Sequence, residues 1–76
     1  MNQNTLPPGH WLEHESVLSY LNRVAGKLRV GYMIKTMINP ITINGVNYIA
    51  ESDILDIVGY SVLKDIQANV ITYFIN

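Results

Sequence analysis

Asn44-Gly45, set between Ile41-Thr42-Ile43 and Val46-Asn47-Tyr48-Ile49-Ala50, constrains this chain more than any other pair of residues. A type I′ turn needs positive φ at both central residues, and asparagine and glycine tolerate it. The pair therefore predicts a β-hairpin in which Ile43 faces Val46 and Ile41 faces Tyr48.

The segments around the hairpin read as helix and strand in turn. Val17, Leu18, Leu21, Val24, Ala25 and Leu28 recur at helical spacing, with Glu13 and Glu15 at the start and Lys27 near the end, which predicts a first helix over residues 12–28. In residues 29–38, Val30, Tyr32, Ile34, Thr36 and Ile38 alternate and predict a strand, although Val30, Met33 and Met37 also fit a helix. Pro40 ends that element. After the hairpin, Ser52 is positioned to cap a helix, with Asp53 and Asp56 in its early turns, Ile54, Leu55 and Val58 on its buried side and Gly59 as its stop. Ser61 then offers a second cap ahead of Val62, Leu63, Ile66, Val70 and Phe74. The closing NVITYFIN has enough β-branched and aromatic residues to finish as a strand instead.

The expected fold is thus a small α+β domain: an N-terminal helix, a short antiparallel sheet with the Asn-Gly hairpin, and one or two C-terminal helices. Residues 1–9, ending in Leu-Pro-Pro-Gly, read as a flexible arm and residues 10–76 as the single domain. A chain of 76 residues buries about 60% of the surface its unfolded form exposes. With 49% apolar residues and no cysteine for a disulfide or thiolate site, self-association is the remaining route to stability, and a homodimer is expected.

The formal charge of −1 conceals a segregation. Arg23, Lys27, Arg29 and Lys35 fall in a stretch, residues 16–50, that has no acidic residue, while Glu13, Glu15, Glu51, Asp53, Asp56 and Asp65 lie outside it. Such a pattern builds a basic patch on a nearly neutral protein, or matches the basic middle of one subunit to the acidic end of another. The candidate macromolecule-binding residues are Arg23, Lys27, Arg29 and Lys35, with Tyr32 among them and Trp11 as an aromatic anchor. Trp11 also reads as an apolar staple folded onto the first helix.

Catalytic signals are sparse. His10 to His14, HWLEH, matches the H-x-x-E-H pattern of inverted zinc metallopeptidases, in which two imidazoles share a helical face. That chemistry needs a third ligand and a cleft in a much larger fold, so His10 and His14 are read as residues of a helix start, and no metal or other cofactor is expected. No glycine cluster forms a phosphate loop and no nucleophile elbow is present, so the reading is non-enzymatic. The first nine residues lack the basic and apolar regions of a secretory signal, and the longest uncharged run is too short and too interrupted to span a bilayer. A cytoplasmic protein without a membrane partner is the expectation.

Residues 42–61, TINGVNYIAESDILDIVGYS, resemble the N-terminal domain of phage antirepressors and baculovirus repeated ORF proteins, the BRO-N family. Asn44-Gly45 corresponds to the turn, Tyr48-Ile49 to the aromatic-hydrophobic pair, Asp53 to the helix-opening acid, and Val58-Gly59-Tyr60-Ser61 to the helix end. The resemblance implies a DNA-binding regulator of a mobile element. It covers about twenty residues, and the chain departs from the family in what precedes and follows them.

A helix-turn-helix formed by residues 52–58 and the helix from Val62 would present only Lys64, Gln67 and Asn69 against Asp65, a poor phosphate-binding face. Low total basic charge favours a protein partner, such as transcription or defence machinery inhibited or modulated by a phage-type protein. The clustering of that charge keeps DNA as the alternative, and a structural subunit of a larger assembly is a third reading.

Overall fold

The computed structural model describes residues 5–76, and it begins with a strand where the sequence predicts a helix. Strand β1 (Gly9–Glu13) leads directly into helix α1 (His14–Arg23), followed by α2 (Leu28–Met37), β2 (Ile41–Ile43), β3 (Val46–Ala50), α3 (Glu51–Val58), α4 (Tyr60–Asn69) and β4 (Thr72–Ile75). The fold is α+β. Its four strands form one antiparallel sheet in the order β2-β3-β1-β4.

The predicted helix over residues 12–28 is therefore divided. Leu12 is fully buried in β1, opposite Ile49 on one side and Thr72 on the other, and its burial comes from sheet pairing rather than from a helical stripe. The helix proper buries Val17 and Leu21 and ends at Arg23, because Val24 is extended at φ −92°, ψ 123°. Residues 29–37 are helical and not a strand, and Ile38 is extended at the end of the helix. Gly31, Ile34 and Ile38 are the inward set, at spacings of three and four, and Tyr32 and Thr36, which shared the predicted strand face with Ile34, point to solvent.

Asn44 and Gly45, at φ 50° and 81°, join β2 to β3 with Ile43 opposite Val46 and Ile41 opposite Tyr48. α3 begins at Glu51 and α4 at Tyr60, and neither Ser52 nor Ser61 supplies a side-chain cap. Gly59, at φ 82°, ends α3, and its amide donates to the Leu55 carbonyl at 3.0 Å. The alternatives for the C-terminal segment resolve as a strand over Thr72–Ile75.

All four helices add residues to one core. Leu12 and Ile49 from the sheet meet Val17, Leu21, Ile34, Ile38, Ile54, Leu63 and Ile66. Strand alternation sends Trp11, Tyr48, Tyr73 and Ile75 to the opposite face of the sheet. There Leu6 shares an apolar depression of about 220 Å³ with Ile43, Tyr48, Tyr73 and Ile75. Of the predicted flexible arm, residues 1–4 lie outside the described residues, Pro7 accepts a hydrogen bond from Trp11 Nε1 at 2.8 Å, and Gly9 already belongs to β1.

Candidate nucleic-acid interface

Once residues 29–37 are helical, two consecutive helices are joined by four residues, 24–27. Gly26, at φ 82°, makes this connection tight. A Cβ there would meet nothing within 4 Å, so backbone conformation rather than space selects the glycine. Lys27 closes the turn by donating its amide to the Val24 carbonyl at 3.1 Å, and the Gly31 amide then donates to the Lys27 carbonyl at 3.0 Å. A Cβ on Gly31 would stand 3.5 Å from Leu21 Cβ, so α2 crosses α1 at this point. Helix, short glycine-containing turn and second helix are the parts of a helix-turn-helix, whose second helix is the one that enters a groove.

The outward face of α2 carries the positive charge. Arg29, Tyr32 and Lys35 are exposed and follow one another at steps of three, which sets one cation roughly 60° to each side of the tyrosine around the helix. No acidic residue lies on α2, and among the described residues neither Arg29 nor Lys35 is ion-paired. Arg29 sits in the first turn, where the helix dipole disfavours a cation by about 0.3 kcal/mol or more, so its position is not explained by helix stability. The Thr36 hydroxyl turns back to donate to the Tyr32 carbonyl at 2.9 Å. Leu28, Tyr32 and Met37 remain 64–68% exposed and give the same helix an apolar component.

The remaining sequence candidates lie elsewhere. Lys27 is half-buried in the turn. Arg23 ends α1 and borders a separate polar groove of about 470 Å³ shared with Glu13, Glu15 and Tyr73, so it faces acidic neighbours and not the α2 surface. In that groove Tyr73 donates its hydroxyl to Glu13 Oε2 at 2.9 Å, and the hydrogen bond and negative charge of Glu13 hold the tyrosine hydroxyl above its ordinary pKa of 10.0. Trp11 is only 7% exposed, which corrects its reading as a surface anchor. Its indole nitrogen is tied to the Pro7 carbonyl in the segment that precedes β1.

His10 and His14 do not share a helical face either. His10 is in β1 with its ring 4.8 Å from that of Phe74, and His14 is the first residue of α1, its Nε2 buried without a hydrogen-bond partner. Among the described residues no group of three His, Cys, Asp or Glu side chains converges on a metal position.

The α3–α4 pair, joined through Gly59 alone, presents Lys64 as its one cation, held 5.5 Å from the Tyr60 ring. It offers far less to an anion than α2. Among the described residues no helix is long and apolar enough to cross a membrane. Comparison with known protein families, with curated proteins and with solved structures finds no match to the chain.

Proposed function

We propose that the protein is a small regulator that binds duplex DNA through α2. The observation that carries this reading is an acid-free helix that follows α1 across a four-residue turn, with Arg29 and Lys35 flanking exposed Tyr32 and, among the described residues, without ion pairs. Phosphate contacts dominate affinity for DNA, and the positive end of α2 adds to them. Tyr32 supplies a hydroxyl and a ring face toward the groove. The BRO-N resemblance of residues 42–61 agrees with a regulator of phage or mobile-element type, acting in the cytoplasm without a cofactor.

The test is fluorescence anisotropy with short mixed-sequence duplexes. With two phosphate contacts, from Arg29 and Lys35, raising salt from about 50 to 200 mM weakens binding roughly 12-fold. Arg29→Ala with Lys35→Ala abolishes most of the binding while leaving the fold intact. Absence of binding at low salt retires the reading.

A second reading is favoured by one specific observation, the exposure of Leu28, Tyr32 and Met37 on the same helix. In it α2 docks on a host protein as inhibitor or modulator. Binding is then less sensitive to salt and depends on Leu28 and Tyr32 more than on Arg29 and Lys35.

A further inference from the structure

The two edges of the sheet are built differently. β2 is three residues long and is preceded by Pro40, both features that discourage another strand from adding to it. β4, at the other edge, is one residue longer and has no proline directly before or within it. Thr72–Ile75 contains no charge and no proline, and no charged residue occurs after Asp65. It pairs with β1 on one side only, so its far side presents unpaired backbone N–H and C=O groups. Phe74 and Ile71 beside this edge are 62% and 71% exposed.

We propose that the β4 edge is a homodimer interface, in which β4 of two copies pair antiparallel and join two four-stranded sheets into one of eight strands. A twofold axis perpendicular to the sheet keeps each residue on its own face, which restricts the pairing to registers centred on Tyr73 or on Phe74. The register centred on Phe74 sets the two phenyl rings opposite each other, each with its own His10 ring on the other side, and sets Tyr73 opposite Ile75. The exposed aromatic group of the edge thus finds its apolar counterpart in the same residue of a second copy, the self-complementarity that an isologous interface requires. With no charge in the strand, two copies approach without repulsion. This interface is independent of α2 and stands or falls separately from the DNA-binding reading.

Sedimentation velocity from micromolar to near-millimolar protein tests it, alongside amide hydrogen exchange of the unaltered chain at both extremes. The expected result is a monomer–dimer equilibrium that Phe74→Glu shifts about tenfold or more toward monomer and that Leu28→Glu on α2 leaves unchanged. Exchange at β4 amides slows with concentration and exchange at β2 amides does not. Because exchange is read on the unaltered chain, the outcome does not depend on Phe74→Glu folding. A monomer at every concentration overturns the proposal and leaves the edge to an extended segment of a different protein. A dimer that resists Phe74→Glu and is broken by Leu28→Glu also overturns it, and assigns the contact to α2.

Discussion

Tyr73 and Glu13 lie 60 residues apart in the chain, and their 2.9 Å hydrogen bond ties β4 to the junction of β1 and α1. The bond lasts as long as the tyrosine hydroxyl keeps its proton. Glu13 raises the pKa of the folded-state hydroxyl above 10.0, so the stability contributed is complete below pH 10 and is lost as pH rises through the folded-state value. Chemical denaturation followed between neutral and alkaline pH is expected to show this loss in the native sequence and a smaller one in Tyr73→Phe. Equal pH dependence in the two proteins would mean that the bond does not form in solution.

Arg29→Ala is expected to have effects of opposite sign on stability and on binding. Removing a cation from the first turn of α2 relieves the dipole penalty and raises stability by about 0.3 kcal/mol, a value kept small because the side chain is exposed. The same change removes one phosphate contact and lowers the salt slope by about one unit. Urea denaturation and DNA titration of one variant check both signs.

Gly31 sits where α1 and α2 cross, and the size of the residue there decides whether α2 keeps its place. Gly31→Ala places a Cβ at an ordinary 3.5 Å contact with Leu21 and gains helix propensity, for a net stabilisation of about 0.5 kcal/mol. Gly31→Leu forces the helices apart and costs roughly 1–3 kcal/mol. Urea unfolding curves distinguish the two, and DNA affinity falls with the second alone.

Trp11→Phe keeps the ring buried and removes its hydrogen bond to the Pro7 carbonyl. A loss of about 1 kcal/mol is expected, with faster proteolysis in residues 5–8 as that segment comes away from the sheet. Limited proteolysis followed by mass spectrometry checks the second effect independently of the first.

Elements whose cause is local were legible in the sequence. Gly59 stops α3 as its freedom to adopt positive φ suggests, and Ile54, Leu63 and Ile66 are buried as their helical spacing suggests, although Leu55, expected beside Ile54 on the buried side, is 40% exposed. The two misread elements are those in which periodicity was ambiguous or long-range pairing decided the outcome. Val30, Ile34 and Ile38 satisfy alternation, yet with Gly31 they also line one side of a helix, and contact with Leu21 on α1 selects the helix. Leu12, nine residues before Leu21, falls on the opposite side of a helix from the Val17–Leu21 stripe, a sign against helix at that position. Only pairing with Ile49 and Thr72, far along the chain, makes it part of a strand. The candidate site followed the same rule. The acid-free basic stretch was plain in the sequence, but its division into an α2 face and an Arg23 that faces Glu13 and Glu15 depends on a turn at Gly26 that has no unique sequence signal.

The pairing of β1 with β4 also sets an order of events during synthesis. β1 leaves the ribosome well before β4, so Leu12 waits for Thr72 while everything between them is made. α1 and α2 can form and meet in the meantime, because their contact spans few residues. The sheet closes only after β4 has emerged, so a nascent chain stalled before Thr72 holds the α1–α2 pair beside a β1 whose outer edge is still open.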